Sequence, residues 1–348
     1  MMSSIGGGYP VQETNSSGSQ PWTQPNREHR QSESPSITVS RPVYLLLHYL
    51  HIIKSFTSDP NTEHGWRTLE DYIMNGHPGK EDLILLVMDI LFILNVFHSL
   101  NAVHGDIKKQ HVVVDNDGRA KLINFEKAER VKAGDGKIQE EIQKTGELAY
   151  YILSGGESYP QSDGDGSWTN KDIILDLTEW MTHPDPTKRR SLEDVLYHPI
   201  FWTDSRKTRY LQAVGNFSEV KQHHKDAKHD LNKKSKGKSF VNWRQEVEKD
   251  FAELLKKMDD YWERNGKPYP NDPCGLLHFI RNVFQHKAEE APSIKFTSRF
   301  PDLFETVYFF AEEKGWNFRN SLQYIFREFF DIIFKNAATT QPEVLAEH

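Results

Sequence analysis

Tyr269, Arg281, Asn282 and His286 fall within one short stretch, YPNDPCGLLHFIRNVFQH, and their side chains have the chemistry to cut a phosphodiester. RNA breaks without a metal ion when its own 2′-hydroxyl attacks the adjacent phosphorus. That reaction needs a base near the hydroxyl, an acid near the leaving 5′-oxygen and donors on the phosphate. His286 fits the acid, because an imidazole both holds and gives a proton near neutral pH. Arg281 offers a planar fork to phosphate oxygens, and Asn282 adds a neutral donor. If the segment is helical, Asn282 and His286 share a face one turn apart. Taken singly, each has a bland reading: His286 as one of 16 histidines, Arg281 as a salt-bridge partner, Tyr269 as a packed loop aromatic. Their spacing is what favours a site.

The elements that must hold this group are helical. Leu276, Leu277, Phe279, Ile280, Val283 and Phe284 recur at helix spacing and predict an anchored helix over 273–285. Asp272 stands where an N-cap would. Further helices are predicted at 205–213, 240–262, 300–314 and 317–335, with no strand after residue 204. Lys221–Lys238, with Lys233, Lys234, Lys236 and Lys238, reads as a mobile basic loop, solvated or gripping RNA phosphates. Phe296 and Arg299 read as helix packing beneath the site. Upstream, a short helix is expected within 66–74 and a buried one over 80–100. A hairpin is expected from 111–114 and 120–123 around Asp115-Asn116-Asp117-Gly118. More helices follow at 137–155 and 171–182, and Ser191–Tyr197 opens on a capping signal. Residues 41–56 fit a strand or a helix.

Composition bounds the rest. The 348 residues are 37% hydrophobic and 27% charged, with a net charge of −7, which describes a polar globular protein with room for two domains. Residues 201–348 hold 24 Lys and Arg against 22 Asp and Glu, so the negative excess lies before them. The slightly basic half is compatible with a polyanion. One cysteine, Cys274, rules out an internal disulfide framework and cysteine-clustered zinc, and no metal site is read. The apolar run Leu83–Leu100 is interrupted by Asp89, Asn95 and His98, so no membrane span is expected, nor a secretory signal. The cytoplasm is the expected compartment.

The middle of the chain resembles a protein kinase C-lobe. His104-Gly105-Asp106-Ile107-Lys108-Lys109-Gln110-His111 is similar to the catalytic loop, Asn124-Phe125-Glu126 stands where Asp-Phe-Gly would, and Asp185–Ser191 followed by HPIFW resembles the lobe's end. The resemblance implies a nucleotide and magnesium at Asp106, His111 and Asn124. An imidazole and an amide now stand where a kinase needs an oxygen donor and a carboxylate for hard cations. Gly105 replaces the catalytic-loop Arg, the activation segment is short, and neither a glycine-rich loop nor a Val-Ala-Ile-Lys strand is found. The expectation is a pseudokinase, with Asp106 kept as a structural carboxylate.

GLLHFIRNVFQH and FTSRFPDLFETVY together resemble the RNase L-like family, in which a kinase-extension nuclease (KEN) domain follows a kinase fold; the similarity spans about 67–335. It implies a mainly α chain with a truncated kinase-like C-lobe with small β hairpins over 41–203 and an all-α KEN ribonuclease domain over 204–338. Residues 1–40, rich in Ser, Gly, Pro, Gln and Asn, read from composition as a disordered tail, and 339–348 as another. The resemblance further implies an RNA substrate, no DNA and no cofactor for cleavage. A homodimer, or a heterodimer with a full-length relative that a non-catalytic chain would regulate, is also implied. Tyr269 would contact the ribose or help activate its hydroxyl. Gly275 stands where the family pattern has an Asp supporting the site, which predicts lower activity, with Asp272 compensating at the helix start.

Overall fold

A computed structural model of the chain describes residues 65–132, 134–160, 172–263 and 269–327. The tails expected at 1–40 and 339–348, the strand or helix at 41–56 and the end of the helix expected to reach 335 lie outside these residues.

The first half combines two small antiparallel sheets with helices. Strand β1 (Arg67–Thr68) leads into helix α1 (Leu69–Gly76), whose first turn is capped by the Thr68 hydroxyl accepting from Asp71 N. Helix α2 (Lys80–Ser99) follows, and Leu83 together with every residue from Leu86 to Leu94 is buried. By length and composition α2 is apolar enough to cross a membrane, contrary to the expectation from its polar interruptions. Its burial has a local explanation. The Asp89 carboxylate accepts from Arg119 Nε at 2.8 Å and from Ala120 N at 3.0 Å, so the one buried charge in its middle is neutralised and hydrogen-bonded inside the protein.

Strand β2 (Ala102–Val103) precedes the predicted hairpin of β3 (Val112–Val114) and β4 (Ala120–Leu122). The hairpin is antiparallel, with Val112 opposite Leu122, and β1 adds to its outer edge through Arg67 opposite Val114. Asp115 holds the turn: its Oδ1 accepts from the backbone N–H groups of Asp117 and Arg119 at 3.0 and 2.9 Å. Strand β5 (Glu129–Arg130) pairs with β2. Helices α3 (Lys137–Leu153), α4 (Ile173–Thr182) and the short α5 (Leu192–Val195) complete this half. Ser191 caps α5 as its spacing predicts, accepting from Asp194 N.

From Asp204 onward the described residues are helical. They form α6 (Asp204–Gly215), α7 (Ser218–Lys221), α8 (Lys225–Lys234), α9 (Trp243–Glu263), α10 (Pro273–His286), α11 (Phe296–Arg299), α12 (Pro301–Glu313) and α13 (Asn320–Phe326). Tyr210, Phe240, Trp243, Phe279, Phe296, Phe300 and Phe310 are almost wholly buried and make its core aromatic. The expected basic loop at 221–238 is mostly helix. Ala227 and Leu231, one turn apart, are buried, and Lys234 pairs with Glu313 while Lys228 pairs with Asp272. Helix α9 bends at Phe251, whose φ of −131° leaves the helical region. There the Arg299 guanidinium donates to the Glu246 carbonyl at 2.8 Å and lies over the Phe251 ring at 5.3 Å, an insertion of the kind that kinks a helix.

The two halves meet in polar contacts, one of them fully buried. The backbone N–H of Ile173 donates to Glu305 Oε1 at 3.0 Å, and the Tyr308 hydroxyl donates to Asp176 Oδ2 at 2.9 Å.

Candidate active site

Helix α10 carries the candidate site, and its start is built from three devices. Pro273 opens it where no N–H is needed. The Asp272 side chain caps it, accepting from Gly275 N at 2.8 Å. Gly275 then lets the Tyr269-Pro270 backbone cross against the helix: a β-carbon there would lie 2.0 Å from the Pro270 carbonyl oxygen. An Asp at this position does not fit, so Gly275 belongs to this loop path and the capping falls to Asp272. Trp243 Nε1 donates to the same Pro270 oxygen at 3.2 Å, and Arg244, paired with Asp259, donates to the Tyr269 carbonyl at 3.1 Å. Trp243, Arg244 and Asp259 were not anticipated from sequence, since they lie a whole helix earlier with no local pattern linking them to the site.

The helix brings three of the four residues into one hydrogen-bonded row. Asn282 Nδ2 donates to the Tyr269 hydroxyl at 2.7 Å, and the Arg281 guanidinium donates to Asn282 Oδ1. Tyr269 and Asn282 are 2% and 1% exposed. This differs from the expected roles of ribose contact for Tyr269 and phosphate donor for Asn282. Tyr269 is enclosed edge-on by Phe279 and His278, with ring centroids at 5.5 and 5.4 Å, and its hydroxyl is turned to Asn282. Arg281 is partly exposed and oriented from beneath by Asn282. His286, the last residue of α10, is exposed one turn beyond Asn282. Leu276, Leu277, Phe279, Ile280 and Val283 are buried as predicted, with Phe284 half-buried. Phe296 packs against Phe279 and Phe284 to form the floor. The surface the site offers is therefore a guanidinium and an imidazole, backed by a buried amide–phenol pair.

The kinase-like positions have closed on themselves. Asp106 Oδ2 lies 3.0 Å from Lys127 Nζ and 3.1 Å from Lys108 Nζ, and these two ammonium groups pull its pKa down to about 2. His111 Nδ1 bonds the Asp106 carbonyl at 2.8 Å, leaving Nε2 to accept from Asn124 Nδ2 at 2.8 Å. Gly105, where a kinase has Arg, adopts a φ of +80°, and a β-carbon would lie 2.4 Å from the Lys127 carbonyl oxygen. Its N–H is held by Glu141, which also pairs with His98. A nucleotide with magnesium needs carboxylate and carbonyl oxygens turned outward. Asp106, His111 and Asn124 do not fit that group. A cleft of about 1540 Å³ borders Asp106, Lys108, Lys127 and Glu141, and it includes none of Tyr269, Arg281, Asn282 or His286.

Residues 207–326 match the family model described as Ribonuclease 2-5A. Over this third of the chain the sequence is similar to the ribonuclease 2-5A family. All four site residues fall inside it. Over 228 residues the chain is 28% identical to the human 2-5A-dependent ribonuclease, covering 59% of this chain and 30% of that protein. The mouse 2-5A-dependent ribonuclease is 26% identical over 242 residues, 62% of this chain and 32% of that one. The Arabidopsis thaliana serine/threonine-protein kinase/endoribonuclease IRE1b is 24% identical over 314 residues, 74% of this chain and 34% of that one. The similarity thus extends past the ribonuclease 2-5A segment into the kinase-like half, and the chain spans about a third of the length of these relatives.

Proposed function

We propose that the chain is a metal-independent endoribonuclease acting on single-stranded or looped RNA, carried on a kinase-like scaffold that transfers no phosphate. The observation that supports this most is the pairing on α10 of an Arg281 fixed by Asn282 and Tyr269 with an exposed His286, inside the segment matched to the ribonuclease 2-5A family. In this reading the 2′-oxygen forms a bond to phosphorus and the bond to the 5′-oxygen breaks. Arg281 bears on the phosphate oxygens, where charge develops, and His286 gives its proton to the departing 5′-oxygen. The 2′-hydroxyl proton passes to water or a base. The products are a 2′,3′-cyclic phosphate and a 5′-hydroxyl. Asn282 and Tyr269 act by position. The domain division proposed is a kinase-like scaffold over 41–203 and a KEN domain over 204–338, working as a dimer in the cytoplasm, with neither ATP nor magnesium used in cleavage.

The test is cleavage of a labelled stem-loop RNA in EDTA across a range of protein concentrations. The expected outcome is cutting that rises more steeply than linearly with protein and falls by about 10²–10⁴ in His286→Ala. An intact substrate at all concentrations, with co-purification of a full-length relative, would instead select a non-catalytic regulator.

A further inference from the structure

At the opposite end of α10 from His286, three side chains of different chemistry converge. The imidazole of His223, the carboxylate of Asp272 and the thiol of Cys274 place their ligating atoms within 4.8 Å of one another. They come from two distant parts of the chain: His223 from the turn after α7, Asp272 and Cys274 from the first turn of α10. We propose that these residues form a divalent-cation site of zinc's ligand type, which staples that turn to the start of the site-bearing helix.

The donor set is the first argument. Imidazole nitrogen, carboxylate oxygen and thiolate sulfur are the three ligand types that zinc takes, and three protein ligands with water as a fourth make a tetrahedral set. His223 supplies the second. Its Nδ1 is shielded from solvent and has no hydrogen-bond partner, and a buried polar atom left in this state calls for one. Lys228 supplies the third. Its ammonium lies 2.8 Å from Asp272 Oδ2, so a positive charge already occupies one side of the cluster. Asp272 Oδ1 still serves as the cap of α10, which leaves Oδ2 for a cation once Lys228 swings away. Bond lengths of about 2.0–2.3 Å to the metal require the ligand atoms to draw in by roughly 1 Å. Cys274 loses its thiol proton to solvent as the metal–sulfur bond forms, and no electron is transferred.

The site is structural with respect to Arg281 and His286. Cys274 and His286 are twelve helical steps apart, roughly 18 Å at the helical rise, so a cation there cannot touch a phosphate held beside His286. The proposal therefore stands apart from the cleavage reading, and its experiment does not use cleavage.

The full chain, freed of metal, is titrated with Co²⁺ and the near-ultraviolet thiolate-to-cobalt charge-transfer band is followed, with Zn²⁺ competition and thermal midpoint measured alongside. The expected result is a band saturating at one equivalent, abolished by one equivalent of Zn²⁺, and a thermal midpoint raised by Zn²⁺. Cys274→Ala removes the band, and His223→Gln weakens binding more than about tenfold. Lys228→Met, a change to a partly exposed side chain, tightens binding by removing the competing ammonium. Absence of both band and midpoint shift in the parent overturns the proposal, as does unchanged affinity in Lys228→Met. A Co²⁺ affinity in His223→Gln equal to the parent's does so as well.

Discussion

Asn282 donates its side-chain amide to the Tyr269 hydroxyl at 2.7 Å, and both groups lie beneath the surface. Arg281 completes the row from the outside. A buried amide–phenol pair is a rigid support, because losing one partner strands the other away from water. Tyr269→Phe should therefore cost about 1–3 kcal/mol of stability and lower RNA cleavage less than His286→Ala does. Chemical denaturation and single-turnover cleavage measure the two effects separately. Full stability with abolished cleavage would mean that the hydroxyl touches the reacting ribose instead.

Gly275 makes a second prediction, opposite to the one drawn from the family pattern. Because a β-carbon there meets the Pro270 oxygen at 2.0 Å, Gly275→Asp should not improve the site. It should displace the Tyr269-Pro270 loop at a cost of about 1–3 kcal/mol or more and reduce cleavage by misplacing Tyr269 under Asn282. Gly275→Ala should show most of the same loss. A denaturation midpoint in Gly275→Ala equal to the parent's would remove the argument.

These two cases mark what was legible in the sequence. Helix α10 could be read because its apolar spacing and the preceding Asp are local signals that the packed structure keeps. The burial of Asn282 could not, since polar residues give no sign of pointing inward until the partner 13 positions away is known. The α8 helix was hidden for a different reason. Ala227 and Leu231 are weak apolar anchors among lysines and histidines, and the ion pairs to Asp272 and Glu313 that settle its lysines come from segments far along the chain. The kinase-like positions were legible in identity and not in arrangement. Sequence shows that His111 and Asn124 replace metal ligands, and only the fold shows them bonded to each other.

Asp106 gives a pH prediction. Lys127 and Lys108 hold its pKa at about 2 in the folded protein, below the ordinary value of 3.8. A depressed folded pKa means that the unfolded state binds the proton more readily, so the contribution is present above the unfolded pKa and is lost as pH falls through the folded value. The stability profile of Asp106→Asn should accordingly be flatter than the parent's between about pH 4 and pH 2, and its RNA cleavage at neutral pH should be unchanged. Loss of cleavage in this variant at neutral pH, with stability intact, would assign Asp106 a role that the ion pairs do not.

The last prediction concerns how the two halves are held together. His198 Nε2 and the Tyr308 hydroxyl both bond Asp176 Oδ2, each at 2.9 Å, and His198 and Asp176 are fully buried. Tyr308 comes from α12, whereas Asp176 and His198 come from the kinase-like half. Burial, followed by the Asp176 charge, raises the Tyr308 pKa well above its usual value, so the phenol stays a neutral donor across the working pH range. Tyr308→Phe should cost about 1–3 kcal/mol. Asp176→Ala removes the acceptor that both donors share and should cost more, about 3–5 kcal/mol. The double variant should be less damaged than the sum of the singles, since the contact can be lost only once. A double-mutant cycle by denaturant unfolding reads this coupling directly. Strict additivity would show that Asp176 and Tyr308 do not act as a pair, and the junction would then rest on the Ile173–Glu305 contact and the apolar packing around it.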